Sequence, residues 1–374
     1  MGNPKVAVGL AIPPKPPLGA LKQVIWATRF VKCDSLLLWD HLQDLFPKAL
    51  WEKSFTWAAG ENESPHEFFD MQTLLGYMAP RAGRMAVGVA VTEPIRRHPV
   101  VLAQAMVTLS YLSKRAPILG IGSGERENIE PYGLPFTNPV SRLEEALQVL
   151  RLCFHGTGPL NFDGTFYSLH NAMFDLKPPK GRTPRIWVGA LGPRMLELTG
   201  RYGDGWYPLG LLTAQEYGEK LESIRTAASA AGRKPDDVLP AFQPYVVIAP
   251  TREEAQQMLN LRTIKFFALL APAASWAKVG LTHPFGDDFK GNVDFLPETY
   301  TRAELDEAIE RVPVEAAQIG LFVGTPDDVV EQLKPFVTAG MRYVVPQALT
   351  AAISRKHAMY SLRALRTIRL GLNK

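Results

Sequence analysis

The stretch RIWVGALGPRMLELTGRYGDGWYP, Arg185 to Pro208, decides the fold. Arg185–Ala190 is a short apolar run that reads as a strand. Pro193–Tyr202 then reads as a helix, with proline in the first turn, where its missing N–H costs nothing. Gly205–Pro208 is apolar again and reads as the next strand. Strand, helix and strand in such close succession require parallel pairing, with the helix as the crossover.

Working outward, the same alternation recurs along nearly the whole chain. Strand-like runs fall at Lys5–Leu10, Ser35–Trp39, Met85–Val91, Ala116–Gly120, Phe242–Ala249 and Arg342–Val345. Between them, apolar residues return at helical spacing: Leu21 to Val31, Val100 to Leu112, Val140 to Phe154, Tyr217 to Ala228 and Asp327 to Thr338. Short strands rich in Val, Ile, Leu and Ala are what burial on both faces demands. With Arg185–Ala190 and Gly205–Pro208 they number eight, and eight such units close into a (β/α)8 TIM barrel, an α/β fold of one domain spanning residues 1–374. A doubly wound open sheet is the competing layout. Two stretches exceed the bare repeat and read as insertions, at about 156–179 and 251–320. The first has hairpin character through its Asp163-Gly164 turn.

Composition agrees with a globular enzyme-sized chain. The 374 residues are 46% hydrophobic and 21% charged, and 41 basic side chains against 37 acidic leave a net charge of +4. No run of either sign stands out, which argues against a nucleic-acid or anionic-membrane partner. Cys33 and Cys153 are too few and too far apart for a disulfide framework and read as small buried hydrophobes. The apolar run Val6–Ile12 stops at Pro13-Pro14 without the marks of a signal peptide, and Phe266–Ala277 is broken by Pro272 and Ser275. The chain therefore reads as cytoplasmic, with no membrane span.

In a barrel of this kind the chemistry gathers where the strands end. Asp40-His41 follows the second strand, Thr92-Glu93 the third, and Glu125 with Asn128 the fourth. Any one of these could merely cap a helix or face solvent; on successive strand ends they converge on one cleft. Leu191-Gly192-Pro193-Arg194-Met195 opens a helix whose free N–H groups would accept an anion such as a cofactor phosphate, although the same turn could be structural alone. Gly120-Ile-Gly122-Ser-Gly124 is not a dinucleotide-binding loop: its glycine spacing is wrong, Pro131 interrupts the helix that should follow, and no acidic residue ends a strand about 20 positions on. Thr325-Pro326-Asp327-Asp328 reads as a capping box and no more. His41, His98 and His170 have no partner at ligand spacing, so no metal is expected.

These residues together resemble the luciferase-like flavin and deazaflavin barrel superfamily, and within it the branch that uses coenzyme F420. The likeness runs almost end to end. It rests on WDH at Trp39–His41, VAVTEPIRRHPVVLAQ from Val89, LGIGSGERENIEPYG from Leu119, GPRMLELTGRYGDGWYP from Gly192 and, less specifically, GTPDDVVEQL from Gly324. GERENIEPYG with FDLKPP from Phe174 is very like the ketoreductase group that acts on phthiodiolone and phenolphthiodiolone dimycocerosates.

The resemblance implies coenzyme F420, or alternatively FMN, as cofactor. It implies that Asp40 contacts the ring or its ribityl chain, that Thr92 hydrogen-bonds the ring, that Val89-Ala90 form a non-proline cis bulge behind it, and that Asn128 stands at its side. Ser123 and Gly124 would line the ribityl and phosphate path, and Leu191, Gly192, Arg194 and Met195 the phosphate turn. His41 would be the proton donor or acceptor and Glu125 a second acid/base. Reduced deazaflavin would pass hydride to a ketone, and the alkoxide would take its proton from His41; imidazoles titrate near neutrality. Family members of this kind are often homodimers. Sugar-phosphate dehydrogenases of the superfamily carry a basic residue soon after the GDG strand, whereas Leu209–Thr213 is uncharged here. That departure, with the apolar insertion around Phe266, Phe267, Leu269, Leu270, Trp276 and Phe285, suggests an apolar small-molecule substrate. An FMN-dependent monooxygenase, a C=C or C=N reductase of the methylene-tetrahydromethanopterin type and a non-catalytic binder are the alternatives.

Overall fold

The computed structural model describes residues 5–374. Eight strands, all parallel, close on themselves: β1 (Ala7–Ile12), β2 (Ser35–Leu38), β3 (Ala86–Thr92), β4 (Ile118–Ile121), β5 (Arg185–Val188), β6 (Gly205–Trp206), β7 (Leu239–Phe242) and β8 (Tyr343–Val344). Each pairs with its neighbours in sequence, and β1 pairs with β8, so no edge is left and the open doubly wound sheet is ruled out.

Side chains alternate across this wall, as a pleated strand requires. Leu37 of β2, Ala90 of β3, Ile118 of β4 and Trp187 of β5 fill the interior with Tyr207, Ala241 and Tyr343. Their neighbours Leu36, Leu38, Val87, Leu119, Ile186 and Val188 point outward into the helical layer. Gly120 belongs where β3 and β4 crowd, because a Cβ there would lie 2.3 Å from the Val89 carbonyl oxygen. Packing of this kind, rather than helix propensity, fixes the crossover helices Pro99–Leu112, Pro139–His155 and Pro193–Tyr202 against the barrel.

The seventh strand departs from the sequence expectation. Barrel pairing ends at Phe242, and Tyr245–Ile248 belongs to a separate three-stranded parallel sheet with Leu321–Gly324 and Gln347–Ala348. Pro244 stands at the break: it has no N–H to continue a ladder, and its carbonyl accepts from Gln347 N. This small sheet carries a second core of Val247, Phe266, Leu269, Trp276 and Phe295, built by the helices between residues 252 and 317. The hairpin between 156 and 179 is Leu160–Asp163 with Ser168–Ala172. Thr325 and Asp328 form the capping box read from the sequence, at the start of helix Pro326–Thr338. Among the described residues no helix is long and apolar enough to cross a membrane.

Candidate active site

The C-terminal ends of β2, β3 and β4 bring Asp40, His41, Thr92, Glu125 and Asn128 together. Asp40 is almost fully buried, and its Oδ2 accepts from Thr92 Oγ1 at 2.6 Å and from Arg97 Nη1 at 2.5 Å. Arg96 Nη2 lies 3.1 Å from the same oxygen and donates to the Asp40 carbonyl at 2.7 Å. Arg96 is held in turn by Glu93, whose Oε1 accepts from its Nε at 2.6 Å, and Arg97 reaches Asp70 at 3.2 Å. The result is a lattice of three carboxylates and two guanidinium groups, buried except at Asp70, that locks the loops after β2 and β3. Asp40 lowers its own cost of burial through these donors.

His41 stands one residue further on, between Trp39 and Phe68, with ring centroids 5.8 and 5.7 Å away. Its Nδ1 lies 3.1 Å from the Gln43 carbonyl oxygen, an acceptor only, so Nδ1 carries the hydrogen. That leaves Nε2 as the atom free to gain or lose a proton, and Nε2 lies 3.7 Å from Glu125 Oε2. Glu125 is fixed by the 251–320 insertion: Asn292 Nδ2 donates to its Oε1 at 2.6 Å.

Behind this pair the sequence reading missed a third acid. Glu127 is fully buried, and its Oε1 accepts from Asn128 Nδ2 at 2.7 Å while its Oε2 has no hydrogen-bond partner. Burial pushes its carboxyl well above the usual carboxylate range, and the charge of Glu125 adds to the effect. Two backbone donors orient Asn128: its Oδ1 accepts from the N–H of Leu42 at 2.6 Å and of Gln43 at 3.1 Å. Its amide thus ties the loop after β2 to Glu127, and only 3% of the residue is exposed. His41, Glu125 and Glu127 form the one group of three acidic, His or Cys side chains with donor atoms within 4.8 Å among the described residues.

The other expected residues fall around this centre. The cis peptide lies between Ala90 and Val91, one residue beyond the expected Val89-Ala90 pair. Val89 packs outward under the helices, and Ala90 turns into the barrel interior, where pairing with β4 slips between Val89 and Thr92. Ser123 is half-buried, and Gly124 has φ 96°, a left-handed conformation natural to glycine. Across the mouth, after β5, Gly192 precedes helix Pro193–Tyr202 with no side chain capping it, and a Cβ at Gly192 would meet nothing within 4 Å. Met195 is buried at 9% exposure, and Arg194 is exposed and pairs with Glu144 at 2.9 Å. Lys220 Nζ donates to the Leu191 carbonyl at 3.1 Å, bringing positive charge to the same turn. Bare N–H groups, open space and a lysine are a donor set suited to a phosphate. A separate cavity of about 940 Å³ at the opposite, N-terminal mouth is lined by Arg115, Arg185 and Arg342 and includes none of these residues.

Residues 53–343, which include Thr92, Glu125, Glu127, Asn128 and the Leu191–Met195 turn but not Asp40 or His41, match the family model described as luciferase-like monooxygenase. The chain belongs to that family. A curated luciferase-like relative, the phthiodiolone/phenolphthiodiolone dimycocerosates ketoreductase of Mycobacterium tuberculosis (strain ATCC 25618 / H37Rv), is 38% identical over 333 residues, 88% of this chain and 87% of its own. Among solved structures, an F420-dependent secondary alcohol dehydrogenase bound to an F420–acetone adduct superposes with a TM-score of 0.75 at 18% identity, covering 99% of this chain and 100% of its own. The oxygenating constituent of 3,6-diketocamphane monooxygenase from Pseudomonas putida, in complex with FMN, reaches 0.64 at 16% identity, with 97% of both chains covered. At such identities the two structures share the fold alone. The luciferase-like chain is an oxidoreductase, like its relatives.

Proposed function

We propose that the protein is a coenzyme F420-dependent reductase of a ketone on an apolar, lipid-like or polyketide-like small molecule, acting as a homodimer. The observation that carries this reading is the His41 ring, with Nδ1 committed to Gln43 and Nε2 free beside Glu125. Such a ring can hold a proton at Nε2 and release it to an oxygen that becomes negative, while the Glu125 carboxylate stabilises the imidazolium. The likeness to ketoreductases over 88% of the chain supports a carbonyl as the acceptor.

The turn at Leu191–Met195 would hold the cofactor phosphate, with Ser123 and Gly124 along the path towards it. Thr92, fixed by Asp40, would meet the ring system, and the backbone around Ala90-Val91 would support it from behind. When bound, the deazaflavin supplies hydride; the chain orients the partners and supplies the proton. Leu209–Thr213, the segment that follows β6, carries no charge, which favours a substrate lacking phosphate. The insertion's Phe266, Leu269 and Trp276 are fully buried and serve its own core. Half-buried Phe267, Leu270 and Phe285 are left as the apolar side chains that could meet substrate.

The reading is tested by incubating the protein anaerobically with reduced coenzyme F420 and a long-chain ketone. Reoxidation of the coenzyme in step with appearance of the secondary alcohol is expected. An FMN-dependent monooxygenase is the second reading, favoured by the FMN-containing structure of the same fold. Oxygen-dependent turnover with reduced FMN, and none with the deazaflavin, would establish it instead.

A further inference from the structure

We propose that Glu127 is a positioning residue that carries the shared proton of the Glu125–Glu127 pair, leaving Glu125 ionised opposite His41. Two carboxyl groups this close cannot both be charged without strong repulsion, and their surroundings decide which one keeps the proton. Glu125 is partly open to the cleft, receives an amide hydrogen from Asn292 and faces the His41 ring. Glu127 is fully buried and pairs with no Lys or Arg among the described residues.

Hydrogen-bond geometry places the proton on a particular oxygen. Backbone N–H groups of Leu42 and Gln43 fix the Asn128 oxygen, so the Asn128 nitrogen must face Glu127 Oε1 as a donor. Oε1 is therefore an acceptor. Oε2 is buried without a partner, a costly place for a lone pair of an ionised group and a suitable one for a hydroxyl aimed at the trio's interior. The titratable groups facing Glu127 are Glu125, His41 and the phenol of Tyr132, itself pushed upward by burial. Arg96, near Tyr132, is already committed to Glu93 and Asp40. The amide hydrogens directed at both carboxyls also suit a proton-holding group better than a cation site, which calls for lone pairs alone.

The consequence for turnover rests on the reductase reading above, but the place of the proton does not. Full-length protein without cofactor, labelled with carbon-13 at the glutamate carboxyls, is to be examined by infrared spectroscopy at neutral pH. A protonated-carboxyl band is expected in the wild type, absent in Glu127→Gln and retained in Glu125→Gln. No such band in the wild type, or one that survives in Glu127→Gln and vanishes in Glu125→Gln, overturns the proposal. With turnover established, Glu127→Ala should be slow at neutral pH, and Glu127→Gln, a neutral isostere, should recover much of the rate. Loss of rate in both variants alike would also overturn it. Failure of the wild type to oxidise reduced deazaflavin would sink the reductase reading and leave the band assignment standing.

Discussion

His41 Nε2 and Glu125 Oε2 face each other at 3.7 Å across the mouth of the barrel, one from the loop after β2 and the other from the loop after β4. The separation exceeds a hydrogen bond and leaves room for the ring or the carboxylate to shift when the cleft fills. His41→Ala should lower turnover by roughly 10²–10⁴, the usual loss for a general acid. Cofactor affinity should change far less, because the turn proposed to hold the cofactor phosphate lies after β5. Steady-state kinetics at saturating cofactor decides it; near-normal turnover removes His41 from the proton-transfer role.

Gly192→Asp should separate stability from binding. The backbone there has φ −80° and ψ 156°, and a Cβ meets nothing within 4 Å, so aspartate fits. As an N-cap it should leave stability unchanged or raise it by about a few tenths of a kcal/mol. Its carboxylate would face the cofactor phosphate, and affinity should fall by roughly tenfold or more. Unchanged affinity in the folded variant would show that the turn is structural only.

Asp40→Ala should cost about 3–5 kcal/mol, since it strips a buried anion from Arg96 and Arg97. Asp40→Asn keeps the shape and one acceptor and should cost less. Denaturant titration of both variants checks the order. An Asp40→Ala variant as stable as the wild type would mean that Asp70 and Glu93 satisfy the two arginines unaided.

Glu127 makes stability depend on pH in a particular direction. Its native carboxyl titrates above the unfolded value of about 4.3, so between those two points the native state holds a proton that the unfolded state has lost. Stability therefore falls as pH rises through that window, by about 1.4 kcal/mol per pH unit. Glu127→Gln has no such proton to lose. Its stability relative to the wild type should grow as pH rises above the ordinary carboxylate range, as read by chemical denaturation; a constant difference would contradict the raised titration.

The barrel was legible because strands buried on both faces leave short apolar runs, such as Ser35–Leu38 and Arg185–Val188, between helical periods. β7 was not. Pro240 disguises it, and the longer apolar run across Phe242–Ala249 hides the break at Pro244, where the chain leaves the barrel for another sheet. Asp40, His41 and Thr92 were visible as polar residues ending strands. Their partners were not, because Arg96 and Arg97 sit 56 and 57 residues from Asp40 in sequence. Glu127 lies in the charged run Glu125-Arg126-Glu127, which has no apolar period to announce burial. It is drawn inside by Asn128 and by Gln43, whose Nε2 donates to the Glu127 carbonyl at 2.6 Å, contacts that exist only once the loops after β2 and β4 meet.

Dependence on a deazaflavin is tested most directly by titrating the purified protein with oxidised coenzyme F420 and, separately, with FMN, following fluorescence. Binding of coenzyme F420 at about micromolar concentration or tighter is predicted, with FMN weaker by roughly tenfold or more. FMN binding equal to or tighter than that of coenzyme F420 would contradict the reductase reading and favour the monooxygenase.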